Sequence, residues 1–317
     1  MQIYDKRSYN AIFFQPTTKC NWSCQGCYLK KYEKQNKTKD TDIPEWMAEV
    51  VSRVLDRKDI RANQITISLN HPWGIYQKED IRNHALTRFL TTVINDIQRR
   101  GGDLETEVHF TVADMSIETY KAWGLWDPIT SVADSISISV DEFKTDLEAC
   151  YKDKDFRLCK FNCNLQMTPG VIKQFPDPVA QFQQLLHWYD TIYMIAHKPV
   201  LDGEYSKLHT ESIRKTVEIY NALPKEYKKN VFIDKCVEAC AKNEYTCEAG
   251  TNMMTVWPDG RIIGCPYATH GGTYAHPTAD SVVKSMVAMR GYADGDDGKR
   301  HYFNRCKMRK LWKDIQE

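Results

Sequence analysis

Six short strand-like runs alternate with amphipathic helical stretches over the first two-thirds of the chain. No other feature constrains the fold as strongly. The runs are 11–15, 64–69, 107–112, 135–140, 160–167 and 191–196, each rich in Ile, Val, Phe or Thr and bounded by polar or turn residues. Between the first two, residues 44–57 carry Pro44 in the first turn and place Met47, Val50, Val51, Val54 and Leu55 on one stripe. Residues 79–100 do the same with Leu86, Phe89, Leu90, Val93, Ile94 and Ile97, then stop at Gly101-Gly102. Shorter helices are predicted at 116–123, 145–152, 177–189 and 210–222. Such alternation argues for an α/β fold of parallel strands joined by crossover helices. An α/β barrel and a doubly wound sheet both satisfy it. In either one, reactive groups gather at the C-terminal ends of the strands.

The chain has 317 residues, which suggests about two domains. The natural boundary lies near 224–235, where a helical pattern ends at Pro224 and a cysteine-rich part begins, so the domains are drawn as 1–230 and 231–317. With 42% hydrophobic and 27% charged residues the chain is not intrinsically disordered. Its 43 basic and 42 acidic residues leave a net charge of +1, so no global field drives it to nucleic acid or membrane. No apolar run reaches the ~20 residues that span a bilayer, and the first residues lack the apolar stretch of a signal peptide. A cytoplasmic protein with no membrane partner is expected.

Cysteine is the compositional outlier, at 11 residues. An odd count without a signal peptide argues against a disulfide scaffold and for thiolates as metal ligands. Cys20, Cys24 and Cys27 are spaced C-x3-C-x2-C directly after the first predicted strand. A C-x2-C pair alone reads as a redox pair or half a zinc site. Three close thiolates without a fourth ligand read differently. Structural zinc takes four protein ligands, whereas a 4Fe–4S cluster on three cysteines keeps one iron open.

This triplet, placed after the first strand, resembles that of the radical S-adenosylmethionine (radical SAM) superfamily. The resemblance implies a partial (β/α)6 TIM-like barrel. It implies that Cys20, Cys24 and Cys27 are the catalytic cluster ligands and that the open iron chelates S-adenosylmethionine. Reductive cleavage would then give a 5′-deoxyadenosyl radical that abstracts a substrate hydrogen. An electron donor such as flavodoxin or ferredoxin is implied as partner. By strand-end position the resemblance assigns cofactor contacts to Thr111, Ser139, Asp141 and Asn164. Asn70 and His71 take the place where the family carries a carboxylate after the second strand. His197 and Lys198 face the same mouth as candidate substrate contacts.

The second motif runs from Cys247 to Cys265. Residues 253–257 and 261–263 read as strands, with Pro258-Asp259-Gly260 as the turn, so a hairpin draws the flanking cysteines together. The segment resembles the SPASM/Twitch extension behind radical SAM barrels, a small cysteine-rich β-hairpin/α domain. That resemblance implies one auxiliary 4Fe–4S cluster on Cys247, Cys265 and Cys306, with Cys236 or Cys240 as the fourth ligand. Cys236 is favoured because it follows a predicted strand at 231–234. Cys159 and Cys163 share one strand face and read as core thiols.

The expected function is radical modification of a peptide or small molecule. Two basic, aromatic-interleaved stretches keep a nucleotide or nucleic-acid base open as an alternative substrate: Lys30 to Lys39 with Tyr28 and Tyr32, and Arg300 to Lys313 with Tyr302, Phe303 and Trp312. A non-catalytic iron–sulfur electron carrier is the remaining alternative.

Overall fold

Seven consecutive strands, β1 Ser8–Phe14, β2 Arg61–Leu69, β3 Glu107–Ala113, β4 Ser135–Val140, β5 Lys160–Met167, β6 Thr191–Ala196 and β7 Val231–Ile233, pair side by side in chain order, every pair parallel. The computed structural model describes residues 8–18, 27, 29, 43–69, 85–113, 116–140, 158–197, 207–241, 252–265 and 273–294. Strands β4, β5 and β6 begin and end where the sequence places them, β2 starts three residues earlier, β3 ends one residue later, and β1 starts three residues earlier and ends one residue earlier than predicted. The fold is α/β with a mostly parallel sheet, of the kind that builds TIM-like barrels.

The unreversed strand order separates this sheet from a doubly wound one, whose order turns back at a switch point. A right-handed crossover that always steps the same way delivers every helix to the same side. Helix α1 Glu45–Leu55 buries Met47, Val50, Val51, Val54 and Leu55. Helix α2 Ala85–Arg100 buries Leu86, Phe89, Leu90, Val93, Ile94 and Ile97, and Gly101 closes it at φ +67°. Both stripes are those predicted. They join one core with Ile12, Phe14, Ile65, Ile67, Phe110, Val112, Ile136, Ile138, Leu165 and Met194 from the strands.

Helices α3 Ile117–Ala122, α4 Trp126–Val132, α5 Pro169–Lys173 and α6 Pro178–Trp188 follow, then α7 Lys207–Ala222, α8 Lys235–Ala241 and α9 Ala279–Asp294. Asp177 caps α6 by accepting from the Ala180 amide at 3.2 Å, and Thr168 does the same for α5 from Val171. Helix α4 was not legible in sequence. Its Ile129, Thr130 and Val132 are weak helix formers, and burial of Trp126 and Ile129 holds it. Also unforeseen is α9, which buries Val282, Val283, Met286 and Met289. The Tyr9 hydroxyl donates to its Met286 carbonyl at 2.6 Å. The helix expected at 145–152 lies outside the described residues.

The expected hairpin forms from β8 Met253–Val256 and β9 Arg261–Ile263, antiparallel, with β10 Thr273–Tyr274 beyond. Gly260 in its turn has φ +83°, and a Cβ there would stand 2.5 Å from the Ala275 carbonyl oxygen. Only glycine fits. The hairpin's attachment was not predicted. β8 runs parallel to β1, with Ile12 opposite Met254 and Phe14 opposite Val256, so one ten-stranded sheet runs β10-β9-β8-β1-β2-β3-β4-β5-β6-β7.

Candidate functional site

Side chains alternate across a strand, so the helix-covered apolar positions leave the intervening ones on the other face. In β4 the sequence Ser-Ile-Ser-Ile-Ser-Val puts Ile136, Ile138 and Val140 in the core and Ser135, Ser137 and Ser139 opposite. Parallel register extends this into rows. The lowest joins Phe13, Thr66, His109, Ser135 and Lys160. The next joins Ser68, Thr111, Ser137, Asn162 and Thr191. The third joins Ala113, Ser139, Asn164, Tyr193 and Phe232. Barrel interiors of this fold type are ordinarily filled with branched apolar side chains; this face is largely hydroxyl and amide.

The rows differ in how their polar groups are used. Toward the N-terminal end the groups satisfy one another. Gln64 Nε2 donates to Thr66 Oγ1 at 3.0 Å, His109 Nδ1 contacts Ser135 Oγ, and Asn162 Nδ2 donates to the same oxygen at 3.1 Å. His109 Nε2 also meets Glu107 at 3.1 Å. Toward the C-terminal end, Thr111, Ser137, Ser139, Asn164 and Gln166 are partly exposed, and their side chains form no hydrogen bond with other described residues. Buried polar groups are normally paired within the protein, and partly exposed ones look to solvent or ligand. The upper half of the face is therefore equipped to bind.

Of the predicted contacts, Thr111, Ser139 and Asn164 lie on this face, with Ser139 and Asn164 as direct register partners. Asn70, His71 and Asp141 lie outside the described residues, as do Cys20, Cys24, Cys247, Cys306 and Lys198; so does the Cys240 side chain. Sequence reading missed Ser137, Gln166, Tyr193 and Phe232. The strict alternation of Ser and Ile in β4 was the signal that could have found the first of these. At the end of β6, His197 stacks on His209 of α7, ring centroids 4.6 Å apart and 27° between planes, both buried. Nothing in the sequence links these two.

The three described candidate thiols each pack against apolar residues. Cys27 packs beside Leu29, Trp257 and Ile263. Cys236 packs beside Ala196, Ile213, Ile233 and Val237, its amide donating to the Asp234 carboxylate at 2.9 Å. Cys265 packs on the main core. Cys163 is fully buried, a core thiol as read, and Cys159 packs half-buried against the same core. Among the described residues no group of three or more His, Cys, Asp or Glu side chains is placed to hold a metal ion.

The face and strand order define the class as an α/β protein with a mostly parallel sheet, helices on one face and polar side chains on the other. Beyond that class, no family model matches the chain, and no curated protein does. Solved structures that match include the tryptophan synthase alpha subunit of Campylobacter jejuni, at 10% identity and TM-score 0.42, covering 90% of this chain and 97% of that one. Tryptophan synthase from M. tuberculosis matches at 9% identity and TM-score 0.40, covering 90% and 94%. A mutant alpha subunit from Pyrococcus furiosus matches at 9% and 0.42, covering 89% and 98%. Likeness at this level assigns no activity to the chain.

The radical SAM expectation is corrected on these findings. The matching structures named above are tryptophan synthases and not radical SAM enzymes. Radical SAM chemistry, S-adenosylmethionine and the catalytic 4Fe–4S cluster are withdrawn. So are the SPASM/Twitch auxiliary cluster, the radical modification of peptide, small molecule or nucleic-acid base, and the iron–sulfur electron carrier. The flavodoxin- or ferredoxin-type donor goes with them. Among the described residues no helix is long and apolar enough to cross a membrane.

Proposed function

We propose that the chain binds a small polar organic molecule on the upper half of the polar face. The observation that carries this reading is the contrast along that face: paired polar groups below, and above them Thr111, Ser137, Ser139, Asn164 and Gln166, whose side chains make no hydrogen bond with other described residues. Such groups are hydrated in the free chain, and a ligand that pairs with them exchanges that water for direct hydrogen bonds. The C-terminal ends of parallel strands are also where this fold type places its ligands.

In this reading Thr111, Ser139 and Asn164 contact the ligand, with Asn70, His71 and Asp141, which follow β2 and β4 in the chain, as further contacts. Cys20, Cys24 and Cys27 follow β1 and are proposed as further residues of the same site. The partial (β/α)6 barrel at 1–230 and a small cysteine-rich hairpin unit at 231–317 remain part of the proposal, with Cys236, Cys240, Cys247, Cys265 and Cys306 as the second unit's thiols. A cytoplasmic location completes it.

The test is saturation-transfer NMR on the full chain with amino acids, sugars and free heterocyclic bases, each at millimolar concentration. Signals from at least one class are expected. They should weaken by about thirtyfold in affinity when Ser139→Val and Asn164→Leu are combined, since two hydrogen bonds of about 1 kcal/mol each are lost. Identical signals from wild type and the double variant would remove the proposal.

A further inference from the structure

Two aromatic rings complete the row in which Ser139 and Asn164 stand. Tyr193 of β6 is the register partner of Asn164, and Phe232 of β7 is the register partner of Tyr193. Their rings stack on each other, centroids 5.7 Å apart and planes within 26°. Both are unusually open for large side chains in a sheet, Tyr193 at 37% and Phe232 at 42% exposure. Large aromatics normally bury most of their area, and a stacked pair left open is an incomplete stack.

We infer that the Tyr193–Phe232 pair is a platform for a planar heteroaromatic ring, whose polar edge is read by Asn164 and Ser139. The inference rests on the proposed ligand face and narrows the ligand to a ring class. A ring laid against Tyr193 on its Asn164 side stands over the next strand, about 4.8 Å away. There the Asn164 amide offers both a donor and an acceptor, and the Ser139 hydroxyl one strand further offers either. Heterocycles with ring nitrogens and exocyclic amino or carbonyl groups match that combination, a π face bordered by hydrogen-bonding groups. A purely apolar occupant does not match, because covering the row with it would bury Asn164 and Ser139 unpaired. An acyclic amino acid gains nothing from the stack, and a sugar, which has no π face, gains only C–H contacts with the rings. Burial pushes the Tyr193 phenol above its ordinary value, so at neutral pH the hydroxyl keeps its proton and the ring stays uncharged.

The experiment uses cytosine and hypoxanthine as ring probes and ribose as a non-aromatic comparator, titrated into the full chain by saturation-transfer NMR. Four variants are compared with wild type: Tyr193→Leu, Phe232→Leu, Tyr193→Phe, and Ser139→Val with Asn164→Leu. Leucine keeps apolar bulk at an exposed position, so folding is retained while the π face is removed. Stacking of a base on an aromatic side chain supports a loss of about tenfold in ring-probe affinity for Tyr193→Leu. Phe232→Leu is expected to lose less, because its ring lies behind that of Tyr193. Tyr193→Phe is expected to stay within about twofold of wild type, since the stacking face is kept. Ring-probe binding unmoved by Tyr193→Leu, or absent from wild type, overturns the platform. If ribose or amino-acid signals still respond to the Ser139/Asn164 variant in that case, the polar-face reading survives and only the platform falls. If nothing responds to either, both fall.

Discussion

Ile138 and Ser139 are neighbours in the chain and stand on opposite sides of one sheet. Ile138 is fully buried under the helices, while Ser139 is partly exposed and directed at no described partner. The same division runs through β2 to β6. One face is a continuous apolar layer closed by helix stripes, and the other is a polar field whose lower half is internally paired. Stability belongs to the first face, and the proposed recognition to the second. The separation is possible because every crossover steps in one direction, so no helix is needed on the polar side.

The comparison breaks most sharply at Phe110. It is fully buried on the apolar face, and Phe110→Ala should cost about 3–5 kcal/mol in chemical denaturation. A loss under about 1 kcal/mol would mean that this layer is not the core. The hairpin extends the apolar face past β1 and gives the next largest effect. Gly260→Ala forces a left-handed alanine whose Cβ meets the Ala275 carbonyl, and about 2 kcal/mol is expected. A lowered thermal midpoint checks it, and an unchanged one would show that the β9–β10 contact is not formed as described.

A smaller effect tests the outer helical layer that covers the apolar face. Asp96 of α2 receives hydrogen bonds from Arg100, which also donates to Ser52 Oγ of α1 at 3.0 Å. Burial alone would push Asp96 up, but hydrogen bonds from Arg99, Arg100 and Ser52 outweigh it and hold the carboxyl below its ordinary 3.8. A depressed carboxylate stabilises the fold above its unfolded value, and that contribution is lost as pH falls through the lower folded value. Wild type should therefore lose stability below about pH 4 in part through this group. Asp96→Asn should be less stable by about 1–2 kcal/mol at neutral pH and show a shallower acid decline. Parallel acid curves for the two proteins would remove Asp96 from the account.

The smallest effect sharpens the contrast from the other side. Ser137→Val on the polar face should change stability by no more than about 0.5 kcal/mol, because no internal hydrogen bond is broken. Denaturation midpoints compared with those of Phe110→Ala would place the two faces on one scale. A large loss for Ser137→Val would show that the upper polar groups serve folding after all.

Much of the fold was legible before any coordinates. The stripes of α1 and α2 and the bounds of β4, β5 and β6 followed from periodicity, because burial on one side forces a repeat of 3.6 or 2. Helix α4 was hidden because tertiary burial overrode weak local propensity. The site was legible in part. Thr111, Ser139 and Asn164 were reachable by their position at strand ends. Tyr193 and Phe232 were not, since an aromatic in a strand reads as core until the register shows it on the open face. The C-x3-C-x2-C spacing pointed toward cluster chemistry that the comparisons did not bear out. Spacing alone states which thiols are close in the chain, not what they hold.

Sequence by itself determined the six strands of the first two-thirds, the stripes of α1 and α2, their alternation and the division of each strand into apolar and polar positions. These depend on local geometry and on the free energy of burying side chains at fixed repeats. The tertiary structure decided which polar positions pair with one another and which stay bare, that β8 docks beside β1, and that Tyr193 and Phe232 share a row with Asn164. Those are matters of register between segments far apart in the chain. A shift of one residue would reverse every face without changing any local preference.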